Sequence, residues 1–147
     1  MRRLGAVVNL ILLAGSGEAG EASLQAGAYA IRHRLELPHV ERWAVERIDV
    51  ACIPETLGSE PPGPMLPILS ANMPFMRCIA KAWQLDDRRL DYDIVCPGRG
   101  AAKAHASYVL SGDGFTGRIF MTMGAKNMTM TEVQSGRRLG SCAVASR

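Results

Sequence analysis

Apolar and polar positions along this chain alternate in blocks that predict strands and helices in turn. Residues 6–14 form an apolar run that ends at Gly15, as expected of a strand buried on both faces. Apolar residues then recur every three or four positions over residues 18–37, which predicts a helix that Pro38 ends. A second apolar run at residues 48–53 predicts the next strand.

The second half of the chain continues the same rhythm after a loop. Residues 58–67 contain four prolines and two glycines, so we expect an extended segment there. Beyond it, the pattern predicts a helix over residues 70–85, a strand over 94–96, an alanine-rich helix over 101–110 and a strand over 118–123.

This alternation predicts an α/β fold, with a mainly parallel sheet that carries helices on both faces. The pattern fades after residue 128. We therefore expect one α/β domain over residues 1–128 and a polar tail over residues 129–147.

Composition narrows the function classes. The 147 residues are 48% hydrophobic and carry a net charge of only +3, which indicates one globular domain and no nucleic-acid-binding surface. The four cysteines lack metal-ligand spacing, and the three histidines form no ligand cluster, so no metal site is expected. Wide cysteine spacing also favours free thiols in a reducing, cytoplasmic location. The cysteines are Cys52, Cys78, Cys96 and Cys142, and the histidines are His33, His39 and His105.

The amino terminus has two interpretations. Arg2 and Arg3 followed by an apolar run resemble the charged and apolar parts of a signal peptide. Asn9 interrupts that run, however, and a first buried strand fits it better. The run is too short to span a bilayer, so no membrane association is expected.

A glycine-rich turn follows this first apolar run. Gly15, Gly17 and Gly20 fit the G-x-G-x-x-G spacing between a predicted strand and a predicted helix, the context of a dinucleotide-binding turn. Glu18 places a carboxylate beside the anion site, and a plain strand-to-helix turn explains the glycines better. A nucleotide-binding α/β domain therefore stays an alternative, with these glycines as weak cofactor-binding candidates.

Cys96 is the strongest candidate for chemistry. It ends a predicted strand, and Pro97 suits the first turn of the predicted helix that follows. A cysteine at the amino-terminal end of a helix faces unpaired backbone N–H groups, which favour the thiolate. A buried structural thiol is the alternative.

The ordered series around Cys96 resembles the amino-terminal half of the thiolase superfamily, especially ketoacyl-ACP synthase III-like enzymes. The matching pieces are a strand containing Ile48 and Asp49, a proline-containing loop, Cys96-Pro97-Gly98, an alanine-rich helix, Ser111-Gly112 and the segment from Gly117 to Ala125. Together they span about three quarters of the chain.

The resemblance implies an acyltransferase of fatty-acid or polyketide biosynthesis in which Cys96 forms a thioester. The substrate would be an acyl-CoA or an acyl-carrier thioester, and no tightly bound cofactor is expected. Family members are about twice as long and take their acid-base residues from the other half. A homo- or hetero-oligomer is therefore expected, with a non-catalytic thiolase-like assembly partner as a further alternative.

Overall fold

The computed structural model describes residues 24–36, 46–54, 66, 75, 77–98, 100–124 and 128–142, and these form a single antiparallel sheet. The sheet has seven strands, and the described residues contain no α-helix. The strands are β1 (Gly27–Glu36), β2 (Glu46–Ile53), β3 (Ile79–Asp86), β4 (Arg89–Val95), β5 (Lys103–Ser111), β6 (Gly114–Met123) and β7 (Met128–Gly140).

The order across the sheet is β2-β1-β7-β6-β5-β4-β3, and every neighbouring pair is antiparallel. Strands β3 to β7 follow one another as a meander, because two-residue connections at residues 87–88 and 112–113 turn the chain directly back. Strand β1 then pairs with β7 on one side and with β2 on the other. Strands β2 and β3 form the two edges.

The predicted α/β fold with a parallel sheet is therefore wrong, and so is the thiolase-like architecture. Parallel neighbours need long crossover connections, whereas most connections here are hairpins. The predicted strands at residues 48–53, 94–96 and 118–123 do fall in or at the ends of β2, β4 and β6. Residues 129–140, expected in a polar tail, instead belong to β7, the longest of the described strands.

Residues 101–110 show why the helix predictions failed. Ala104, Ala106, Tyr108 and Leu110 are buried and alternate with more exposed positions along β5, which is the two-residue period of a strand. The alanines lie opposite large side chains on the neighbouring strands, including that of Tyr92. Packing against these large side chains favours small residues in β5, and this packing outweighs the helix propensity of alanine.

Several predictions concern residues that the structure does not describe. The first strand over residues 6–14, the turn with Gly15, Gly17 and Gly20, and most of the proline-rich segment lie outside the described residues. The described parts of the predicted helices over residues 18–37 and 70–85 contain β1 and β3. In the described part of the chain, no helix has the length and hydropathy needed to cross a membrane.

The buried face of the sheet contains a row of aromatic rings, here called the aromatic ladder. Trp83 stacks on Tyr92 with ring centroids 4.5 Å apart, and Tyr92 stacks on Tyr108 at 6.0 Å. Phe115 meets Tyr108 edge-on at 5.7 Å and contacts Tyr29 at 6.1 Å. Such pairs add stability beyond the area they bury, so the ladder links β3, β4, β5, β6 and β1 into one core.

Two glycines make room for this ladder. Gly117 lies directly opposite Tyr108, and Gly136 lies directly opposite Phe115. A Cβ atom at either glycine would overlap the facing ring, because each ring lies flat across the neighbouring strand. Covering a strand glycine with an aromatic ring compensates for the missing side chain.

All three tyrosines of the chain belong to the ladder, which predicts an alkaline limit of stability. Burial raises the pKa of Tyr92 to about 12 from its ordinary 10.0, and burial also raises the pKa of Tyr108 and of Tyr29. The folded state therefore keeps protons that the unfolded state loses near pH 10. Stability is fully present below about pH 10 and falls as the pH rises toward about 12, with about 3 kcal/mol lost at Tyr92 alone.

Absorbance of tyrosinate in the near ultraviolet checks this prediction. We expect almost no tyrosinate in the folded protein at a pH just above 10, followed by a steep rise that coincides with unfolding measured by circular dichroism. The same protein in concentrated guanidinium is the control and should titrate near pH 10. Gradual ionisation of the folded protein near pH 10 would contradict the buried ladder.

Candidate functional site

Cys96 follows β4, and the structure joins it to Cys78 in a disulfide bond. No helix begins after it in the described residues, so the helix end that was expected to activate its thiol is absent. In the disulfide form Cys96 carries no thiolate. Its role as a nucleophile, with an acyl-CoA or acyl-carrier thioester as substrate, stays a prediction.

The two disulfides hold the two edges of the sheet. Cys78 and Cys96 flank the first pair of the β3–β4 hairpin, Ile79 and Val95. Cys52, on the opposite edge strand β2, is bonded to Cys142, which follows β7. No described cysteine is free. The sequence spacing did not reveal this pairing, because the partners meet only when the edge strands are in place.

A polar cluster lies inside the otherwise apolar face, near the β2 edge; we call it the His33 cluster. The carboxylate oxygen Oε1 of Glu132 lies 2.7 Å from Nδ1 of His33 and accepts a hydrogen bond of 2.6 Å from Nε2 of Gln134. The amide oxygen of Gln134 in turn accepts a hydrogen bond of 3.0 Å from the hydroxyl of Tyr108. These residues sit on β1, β7 and β5, and none of the four is exposed.

Nitrogen Nε2 of His33 has no hydrogen-bond partner among the described residues. Nε2 of His33 is buried and lies 3.8 Å from Oδ2 of Asp49, too far for a hydrogen bond. Asp49 is partly exposed on β2 and also pairs with Arg47. Within the described residues, the polar contacts of this imidazole are with carboxylates and not with a serine or cysteine. Solvent does not reach it. The cluster is therefore better suited to fixing strand positions than to catalysis.

The solvent-facing side of the sheet contains a groove of about 410 Å³ around His105, here called the His105 groove. Three of its residues face one another on consecutive strands: Asp93 on β4, His105 on β5 and Phe120 on β6. Nδ1 of His105 lies 2.8 Å from Oδ1 of Asp93, which orients the imidazole. Phe120 is 52% exposed, which is unusual for a ring of this size at the centre of a sheet. The remaining lining residues are Ile94, Val95, Lys103, Ala104 and Thr122.

A neighbouring carboxylate adds fixed charge beside the groove. Partial burial raises the pKa of Asp91, but hydrogen bonds from Ser107 and Arg89 outweigh this effect, and the pKa of the carboxyl is lowered. Oδ1 of Asp91 lies 3.8 Å from Nε2 of His105. The imidazole therefore stands between two carboxylates, and 57% of the His105 side chain is exposed to solvent.

This arrangement suits ligand binding better than nucleophilic catalysis. The described lining of the groove combines apolar surface with an imidazole–carboxylate pair, a lysine and a threonine, and it contains no serine or cysteine. Sites for small molecules have this mixture of apolar walls and a few placed polar groups. Among the described residues, no group of three or more histidine, cysteine, aspartate or glutamate side chains is arranged so that it could hold a metal ion.

The sequence pattern did not reveal the His105 groove, because His105 falls within the helix predicted over residues 101–110. The available signal was the alternation of Lys103, His105 and Val109 with buried residues along β5, which is the pattern of a half-exposed strand. Asp93 and Phe120 lie 12 and 15 positions away, so only strand pairing brings them beside His105.

Fold and site define a small β domain in which one antiparallel sheet is held at both edges by disulfides. Residues 24–142 match the family model described as "Protein of unknown function (DUF3617)", and the chain belongs to this family. The resemblance to the thiolase superfamily, and with it the assignment to ketoacyl synthases, is thereby corrected. No curated protein and no solved structure matches the chain.

Proposed function

We propose that this chain is a binding module of an oxidising compartment and that the His105 groove holds its ligand. The ligand class that fits is a molecule with a flat apolar part and polar substituents. The observation that supports this most directly is the row of Asp93, His105 and Phe120, which places an exposed ring beside an oriented imidazole.

The chemistry of the row explains the proposed ligand class. Phe120 offers an aromatic face for a flat apolar group, and an aromatic contact of this kind contributes on the order of 1 kcal/mol beyond the area it buries. Asp93 holds His105 through Nδ1, so Nε2 is left to donate or accept a hydrogen bond. Lys103 supplies a cation at the same groove.

The disulfides support the proposed compartment. The described residues contain two disulfides. Disulfides persist in secreted and other extracytoplasmic proteins, whereas the cytosol keeps thiols reduced. Arg2 and Arg3 followed by an apolar run also resemble the charged and apolar parts of an export signal. We therefore prefer this compartment to the cytoplasmic location expected from cysteine spacing.

A binding screen with a matched pair of variants tests the proposed site. Aryl carboxylates, aryl amines and monosaccharides serve as probes, and binding is followed by backbone amide shifts in NMR spectra. We expect a probe that shifts the amides of β4, β5 and β6, and Phe120→Ala should weaken its binding by roughly tenfold. His105→Ala should also weaken binding of the same probe, because the oriented imidazole is lost.

Val109→Ala is the control for this experiment. Val109 is on the same face of β5 and is also more than half exposed, but it does not line the His105 groove. Its replacement should leave binding unchanged. The groove is not the binding site if no probe shifts the amide resonances of its residues. The same conclusion follows if Phe120→Ala and Val109→Ala bind the probe equally well.

A further inference from the structure

The two edge strands of the sheet differ in how they are protected against pairing with another strand. An edge strand leaves the N–H and C=O groups of alternate residues without a neighbour in the sheet. Strand β3 is irregular between Lys81 and Gln84, and Ala82 has a left-handed backbone with φ of 52°. Such a bulge, together with an edge lysine, discourages the addition of a strand.

Strand β2 has none of these features. All eight of its residues pair with β1 in a continuous register, without a bulge or a proline. Two of its outward side chains are the most exposed large hydrophobic residues of the described structure, Ile48 at 58% and Val50 at 69%. The disulfide between Cys52 and Cys142 also fixes this strand in place.

From this contrast we propose that two copies of the chain associate through antiparallel pairing of their β2 strands, so that the two sheets become one. This association does not involve the His105 groove, which lies on other strands. The strand that pairs with β2 is the β2 strand of a second copy, because the charges of β2 complement themselves about a two-fold axis.

The charge pattern selects one register. With Ile48 opposite its own copy on the axis, Arg47 of each chain faces Asp49 of the other, so that opposite charges meet twice. Shifting the axis to Asp49 places two carboxylates opposite each other, and shifting it to Arg47 opposes two guanidinium groups. Both arrangements are destabilising. An axis at Val50 brings no opposite charges together and leaves Arg47 opposite the apolar Ile53. The axis at Ile48 leaves Glu46 opposite Val50 but gains two Arg47–Asp49 pairs.

The register on Ile48 also explains the exposed apolar side chains. Ile48 would contact its own copy on the outward face. Val50 would lie on the same face, opposite Glu46 of the other copy. A symmetric contact of this kind is isologous and closes after two copies, so it gives a dimer and not a filament.

Sedimentation velocity with complementary charge variants at the axis tests the proposal. Wild-type protein should sediment as a dimer in the high-micromolar range. Ile48→Lys and Ile48→Glu should each raise the dimer dissociation constant by roughly tenfold or more, because like charges then face each other. An equimolar mixture of the two variants should restore dimers, since lysine then meets glutamate across the axis.

Ile79→Lys is the matched control on the opposite edge. Ile79 is an exposed isoleucine of β3, at 46%, and this variant should dimerise like the wild type. Near-ultraviolet circular dichroism of each variant verifies the fold. The proposal is overturned if wild-type protein is monomeric in this range, if Ile48→Lys dimerises as tightly as wild type, or if the mixture stays monomeric.

Discussion

Replacing both Cys52 and Cys142 with alanine is expected to lower the free energy of unfolding by roughly 4 to 5 kcal/mol. This disulfide joins residues 90 positions apart, and cross-linking such a distant pair removes much conformational entropy from the unfolded chain. The second disulfide joins residues only 18 apart, so replacing Cys78 and Cys96 should cost less, about 3 kcal/mol. Urea unfolding of the two double variants measures both values.

Amide hydrogen exchange shows which strand each disulfide stabilises. Loss of the first disulfide should speed amide exchange mainly in β2, because β1 is then its only remaining attachment among the described strands. Loss of the second should do so mainly in β3. A mass-tag count of four free thiols in protein recovered from an oxidising compartment would contradict both pairings, and so would equal stability of the variants and the wild type.

Replacing His33 with alanine is expected to cost roughly 3 to 5 kcal/mol, while the same change at His105 should cost less than about 1 kcal/mol. The two histidines make nearly identical contacts with a carboxylate, at 2.7 Å to Glu132 and 2.8 Å to Asp93. Only burial distinguishes them. Both members of the first pair are inaccessible to solvent, whereas more than half of each side chain in the second pair is exposed.

The physical reason is the cost of a buried charge that has lost its partner. Without His33, the carboxylate of Glu132 stays in the core and loses the hydrogen bond from the imidazole. Water solvates Asp93 when His105 is removed, so that loss is small. Chemical denaturation of the two variants gives the comparison.

A second variant separates the charge from the lost volume. Adding Glu132→Gln to His33→Ala removes the buried charge but keeps an acceptor for the amide of Gln134. We expect this double variant to recover part of the stability. Equal losses for His33→Ala and His105→Ala would show that burial does not govern the contribution of these pairs.

The wrong helix predictions have a common physical cause. Residues 18–37 have apolar residues at helical spacing, but β1 buries Tyr29, Ile31 and His33 in alternation. Small apolar residues at the outward positions of β1, such as Ala28 and Ala30, hid this two-residue period. Because alanine is compatible with both structures, a pattern rich in alanine could not distinguish a strand from a helix.

The candidate site was harder to anticipate than the strands. His33 meets Glu132 across 99 positions of sequence, and no local pattern indicates such a contact. The same holds for the cysteines, whose wide spacing suggested free thiols until the edges of the sheet brought them together. In each case the informative quantity is strand register, which depends on the whole sheet.

By itself, the sequence determined that the chain is globular and that residues 48–53, 94–96 and 118–123 have extended character. Local apolar runs and turn residues are sufficient for that much. Only the tertiary structure decided that the sheet is antiparallel, that β1 pairs with β7, and which polar side chains meet. Hydrogen bonding between strands joins residues far apart in the chain, so these features depend on pairings that no local segment specifies.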